Sequence, residues 1–402
     1  MRIAQRVVAA LLLCVALVAL ISAGSSGAAA AEKHYLVYVG TYTTKTASKG
    51  IYAFHYDAST GKLSPIGVAA DTADPSWVAI HPNGKYLYAA NEAGKKSMVS
   101  AFAIDAQSAK LTLLNQLPAL GEDPCYLSFD RTGKYLFAAN YTSGNITVFA
   151  ILPDGKLAEH AEKLYHGTLA YAGRLGPNIQ RQEAPHAHWI QPSADNGFVY
   201  VADLGLDSIL IYRFNLAAAN YGRPILGWVG IENKGFDRAA MLDPGTGPRH
   251  AAFSSDEKFM YVVGELNSTV TAFAKNSSES FQSIQNVPML PAGFSGRNDA
   301  AELAIHPNGK FLYASNRGHD SIAEFHIDPA SGKLTAAGDF SVLGKEPRHF
   351  AIDPSGNFLL AENQLSDKIV TFRIDQKTGA LTPTGDSVEV PSPVCLVFLP
   401  VE

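Results

Sequence analysis

The chain has 402 residues, 47% apolar and 17% charged, proportions that supply a large core and exclude a disordered chain. Lys and Arg number 32 against 37 Asp and Glu, and the formal charge of −5 excludes the basic surface of a nucleic-acid binder. Three cysteines are too few for a disulfide scaffold, and 34 Gly with 22 Pro are ordinary counts that exclude collagen-like sequence.

Arg2 and Arg6 precede an uncharged apolar run from Val7 to Ile21, and small residues follow as far as Ala29-Ala30-Ala31. A basic end, a short apolar middle and small residues before a cleavage point describe a secretory signal peptide. The run is shorter than the about 20 apolar residues of a membrane span. Cleavage after Ala31 is therefore expected, rather than a retained anchor, leaving residues 32–402 as an exported chain free of the membrane. Loss of two arginines takes the formal charge to −7. Of the remaining cysteines, Cys125 and Cys395 could pair in an oxidising compartment, and the sequence leaves that open.

Beyond this point the chain repeats itself. The fullest phrase runs from Asp74-Pro75-Ser76-Trp77 through His81-Pro82-Asn83-Gly84 to Ala89-Ala90-Asn91, and it returns from Asp123-Pro124 to Asn140. Further copies open at Pro185, Pro248, Ala300 and Pro347, with a truncated one at Pro393, in steps of 49, 61, 63, 52, 47 and 46 residues. Each reads as an apolar strand, a tight turn such as Asn83-Gly84 or Asn308-Gly309, and a second apolar strand. Third strands are expected over Met98–Ile104, Asn145–Ile151, Ser208–Phe214, Thr269–Ala274, Ser321–Ile327 and Lys368–Ile374. Gly155-Lys156-Leu157, Gly332-Lys333-Leu334 and Gly379-Ala380-Leu381 mark fourth strands. Repeated four-stranded antiparallel units make an all-β protein, a seven-bladed β-propeller. Pro393–Leu399 supplies only a first strand and Tyr35–Gly40 matches a second. The two ends are thus expected to pair and close the ring, which removes exposed strand edges.

In such a repeat, structural positions recur and functional ones break the pattern. Asn91, Asn140, Asp203, Asn316 and Asn363 share one column at the end of the second strand and read as turn caps. His81 and His306, in the turns of the far face, read as solvated. The position after the Asn column varies instead: Tyr42, Glu92, Tyr141, Leu204, Glu265, Arg317, Gln364. So do the openings of the first strands, with His186 and His188 in blade 4, Arg249 and His250 in blade 5, Glu302 in blade 6, and Arg348 and His349 in blade 7. Both sets emerge at one face of the disc. Arginines there suit a carboxylate or phosphate.

Ala184-Pro185-His186-Ala187-His188, Val201-Ala202-Asp203-Leu204-Gly205, Gly247-Pro248-Arg249-His250, Gly264-Glu265-Leu266, Ser315-Asn316-Arg317-Gly318-His319-Asp320 and Pro347-Arg348-His349-Phe350 resemble the seven-bladed lactonase family. That family includes propeller-type 6-phosphogluconolactonases and the carboxy-muconate lactonising enzyme. The resemblance implies a site of one His, two Arg and a Glu, falling on His186 or His188, Arg249, Arg317 and Glu265. His250, Glu302, Arg348 and His349 would bind substrate and tune the first set.

The expected chemistry is hydrolysis of a sugar-type lactone, phosphorylated or plain, with His186, His188 or Glu265 activating water and the arginines holding anionic oxygen. No Gly-x-Ser-x-Gly elbow indicates a covalent nucleophile. His186-x-His188 could hold a metal, but the carboxylate set of a calcium site is missing, and neither metal nor cofactor is expected. The enzyme is expected to act as a monomer on a small anionic lactone. Two alternatives stay open: the reverse, lactonising isomerisation, and a non-enzymatic ligand-binding propeller.

Overall fold

The structure, a computed structural model, describes residues 34–166, 175–215, 226–228, 239–276 and 280–401. The expected signal peptide lies outside these residues. Among them no helix is long and apolar enough to cross a membrane.

Seven antiparallel sheets follow one another as the blades of a propeller. Their innermost strands are Pro393–Val401, Pro75–Ile80, Pro124–Phe129, Ala187–Pro192, Pro248–Phe253, Asp299–Ile305 and Pro347–Ile352, for blades 1 to 7. Six blades have four strands; in blade 4 the outer position is shared by Leu226–Trp228 and Ala239–Met241, which both pair with Ser208–Phe214. The third strands match the expected ranges to within one residue.

Burial explains the pattern of the strands. An inner blade strand is covered on both faces by neighbouring blades, so it reads as a continuous apolar run, as in His34–Thr41, where all but the first residue is buried. Outer strands such as Leu111–Pro118 keep one face in solvent and alternate. The core consequently lies between blades; Leu36, Tyr38, Val78 and Leu87 form one such cluster across blades 1 and 2.

The ring closes as expected. His34–Thr41 pairs antiparallel with Pro393–Val401, Tyr38 opposite Val397 and Val39 opposite Leu396. Cys395 lies at this seam, its Sγ 3.5 Å from the Val78 amide. Cys125 and Cys395 are both buried free thiols, not a disulfide.

Two expectations need correction. His81 and His306 are not solvated turn residues. Each donates Nε2–H to the turn of the following blade, to the Gly133 carbonyl at 2.8 Å and the Gly356 carbonyl at 2.7 Å, and each accepts at Nδ1 from its own turn. They staple neighbouring blades. The blade 4 strand starts at Ala187, which pairs with Asp203, rather than at Pro185. The position after the first paired residue of the strand, held by Ser76 in blade 2 and Cys125 in blade 3, is therefore held by His188 in blade 4 rather than by His186.

Leu396, buried at the closing pair, gives a direct test. Leu396→Ala is expected to cost about 2–5 kcal/mol in chemical denaturation, and a chain ending before Pro393 is expected to lose cooperative melting in calorimetry. A truncated chain that melts like the full one would contradict closure.

Candidate active site

Every inner strand opens with a β-bulge. Pro75 pairs with Asn91 and Trp77 with Ala90, so Ser76 is the extra residue; Cys125, His188 and Arg348 hold the same position. In blades 5 and 6, Arg249-His250 and Ala301-Glu302 form the bulge, two residues opposite Val263 and Ser315 respectively. A bulge breaks strict alternation, so consecutive side chains turn toward the axis of the ring. The recurring polar column secures the same loops: buried Asn91 donates to the Ala73 carbonyl, and Asp203 accepts the His186 amide.

The two variable columns meet in a cavity of about 290 Å³. Tyr42, Glu92, Tyr141, Glu265 and Arg317 reach it from the ends of second strands, and Cys125, His188 and Arg348 from bulges. Arg181, Arg297 and Asp299 complete the wall.

Glu265 is the electrostatic centre. Its carboxylate lies 3.1 Å from Arg249 Nε and 3.2 Å from Arg317 Nη2, and it also pairs with Arg181. Burial alone would raise its pKa, but Arg317, Arg249 and Arg181 outweigh that and hold it down at about 2. Arg249 lies behind Glu265 rather than on the cavity wall; Nη1 donates to the Ala301 carbonyl at 2.9 Å. Burial, with Arg317 and Arg348 nearby, lowers the Arg249 pKa to about 10. Arg317 does line the cavity, anchored by the Asp299 and Ala300 carbonyls.

The two candidate histidines separate. His188 lines the cavity with its Nδ1 buried and without a hydrogen-bond partner among the described residues. Burial, reinforced by Arg249 and His250, puts its pKa well below the ordinary 6.5, so the ring is neutral. His186 is not on the wall. Its Nδ1 donates to the Tyr141 carbonyl at 3.0 Å, and its ring stacks on Tyr141 at 4.6 Å, bracing that residue.

His250, Glu302 and His349 form a layer off the cavity wall. Trp77 of blade 2 touches His250 of blade 5 at 5.5 Å and His349 of blade 7 at 5.3 Å between ring centres, contacts possible only across the axis. His250 Nδ1 donates to Glu302 at 3.0 Å, and Arg249 Nη1 lies 3.3 Å from its Nε2. Burial lowers the His250 pKa to about 4, which keeps this tautomer neutral. His349 pairs with Glu362 and approaches Glu302 at 3.6 Å. Burial opposes its charge, but these two carboxylates raise its pKa.

Sequence reasoning missed Arg181, Arg297 and Asp299. Arg181 and Arg297 lie in connections between blades, where the steps of 61 and 52 residues signal insertions; outside the repeat no column assigns their direction. Among the described residues no group of three His, Cys, Asp or Glu side chains is placed to hold a metal.

Residues 36–398 match the family described as Lactonase, 7-bladed beta-propeller. The chain is 36% identical to the 6-phosphogluconolactonase of Bacillus subtilis, over 91% of this chain and 98% of that protein. It is 34% identical to a 6-phosphogluconolactonase of Formosa agariphila, over 78% of this chain and 85% of the other. Among solved structures it is similar to the periplasmic gluconolactonase of Pseudomonas aeruginosa, with 33% identity, a TM-score of 0.83, and coverage of 91% and 99%. Matches of this extent, on a closed ring of seven blades, place the chain in the seven-bladed β-propeller lactonase family, as an enzyme of that family.

Proposed function

We propose that the chain hydrolyses a sugar-type lactone in this cavity, with His188 as general base and Arg317 stabilising the oxyanion. One observation carries the reading: a neutral imidazole and a carbonyl-anchored guanidinium share one cavity wall. The names of the relatives from Bacillus subtilis and Formosa agariphila support the same substrate class.

Glu265 is a poor candidate for the base. A carboxylate held near a pKa of 2 by three guanidiniums takes protons weakly, and its role is to fix and balance those cations. His188 removes a proton from water as the oxygen adds to the lactone carbonyl. Arg317 meets the charge that develops on the carbonyl oxygen. Collapse breaks the ring C–O bond, and the imidazolium returns its proton to the leaving alkoxide, giving the open hydroxy acid. The cationic surroundings that depress the His188 pKa are offset by the negative charge of the intermediate, so the base strengthens when it is needed. The lactonising direction would use the same groups, but the relatives named above carry hydrolytic names. Residues 1–31 would export the enzyme, a reading supported by their signal-peptide pattern and by the periplasmic description of the Pseudomonas aeruginosa structure.

His188→Ala is expected to lower kcat on a hydrolysed lactone by about 10²–10⁴-fold; a wild-type rate would remove His188 from the mechanism. Glu265→Gln leaves clustered guanidiniums without their counter-charge and is expected to cost about 3–5 kcal/mol of stability as well as most activity, measured by denaturation alongside acid release. The proton-accepting form of His188 is lost only as pH falls through a value well below 6.5. The acid limb of kcat/KM should lie there, with a plateau across neutral pH; a limb centred near 6.5 would point to a different, ordinary histidine.

A further inference from the structure

The cavity has a second cationic pole that the hydrolytic step does not use. Arg181, Arg249 and Arg317 share Glu265, and Arg297 pairs with Asp299. Arg348, on blade 7 between Arg317 of blade 6 and the ring-closing blade 1, has no carboxylate in ion-pair contact among the described residues. Among the described residues its side chain makes one hydrogen bond, Nη2 donating to Tyr42 Oη at 2.8 Å, with the guanidinium carbon 5.2 Å from the centre of the Tyr42 ring. Tyr42 in turn donates its hydroxyl proton to Glu92 at 2.7 Å. That commitment leaves only a lone pair for Arg348 and fixes the Tyr42 ring beneath it.

An arginine carries five N–H donors in a planar fork. Arg317 commits Nε and Nη2 to Glu265 and two backbone carbonyls, which leaves Nη1 for the oxyanion; Arg348 leaves most of its fork open on a cavity wall. A cation so placed, and oriented by a stacked ring and a relayed carboxylate, is a receptor for a planar or tetrahedral oxyanion.

We propose that Arg348, held by Tyr42 and Glu92 across blades 7, 1 and 2, is a specificity-determining subsite that binds an anionic substituent of the substrate, a phosphate or a carboxylate, away from the lactone carbonyl. This rests on the lactonase reading and adds which lactones the site prefers. Glu92 lies one hydroxyl away, close enough to hold the guanidinium in place yet too far to satisfy its fork.

The test compares kcat/KM for glucono-δ-lactone, 6-phosphoglucono-δ-lactone and D-glucaro-1,4-lactone in the wild type and in Arg348→Gln, Arg348→Lys and Tyr42→Phe. The wild type should favour one anionic lactone over the neutral one by at least tenfold, and which one distinguishes phosphate from carboxylate. Arg348→Gln should cut that anionic-to-neutral ratio at least tenfold, mainly through KM; Arg348→Lys, which keeps charge but loses the fork, and Tyr42→Phe should fall between. A ratio unchanged in Arg348→Gln, or a wild type that prefers the neutral lactone, would overturn the subsite and leave the lactonase reading intact. If no lactone is turned over, that reading fails, and titration of 6-phosphogluconate decides the subsite alone: binding weakened at least tenfold by Arg348→Gln supports it, and equal or absent binding overturns it. Circular dichroism of each variant confirms that the propeller is folded.

Discussion

A blade with an open edge exposes a row of unpaired N–H and C=O groups that invites another chain to pair there. The pairing of His34–Thr41 with Pro393–Val401 removes that edge, and the mouth of the propeller depends on it. Tyr42 follows the first of these strands, and it meets Arg348 of blade 7 and Glu92 of blade 2. Without the seam, the blade 1 wall of the cavity has no fixed position. The same closure sets the axis across which Trp77 can touch His250 and His349.

The ring fixes where blades stand, and the bulges fix where their side chains aim. An unbroken strand presents alternate residues to the axis. One extra residue at the start of each inner strand lets Arg348 face the cavity while His349 packs on Trp77 in the layer off its wall. The propeller thereby carries two tiers of polar side chains at its axis. The upper one lines the cavity with Arg181, Arg297, Arg317 and Arg348. The lower one, His250, Glu302, His349 and Glu362, is buried and internally paired, and it holds Arg249 from behind through His250.

Much of this was legible in the sequence, because a repeat is its own alignment. Phrases ending in Asn91 or Asn140 mark the second strand, and of the seven residues at the variable position after them Tyr42, Glu92, Tyr141, Glu265 and Arg317 lie on the cavity wall, while Leu204 and Gln364 do not. The choice between His186 and His188 was not legible. Pro185 imitates the proline that opens other inner strands, whereas pairing starts at Ala187; only the register shows which histidine occupies the bulge. Nor could spacing show that Arg249 stands behind Glu265, since both orders fit one hairpin. His81 and His306 carry the same lesson for the far face: a histidine before proline reads as a turn residue until the neighbouring blade supplies its acceptor.

The most direct measurement is a crystal structure with gluconate, the open acid of the simplest sugar lactone, bound at saturating concentration. The account predicts its carboxylate in the cavity, one oxygen within hydrogen-bond distance of Arg317 and the other facing His188. A carboxylate held at the opposite face of the disc, or in the cavity but out of reach of both side chains, would contradict it.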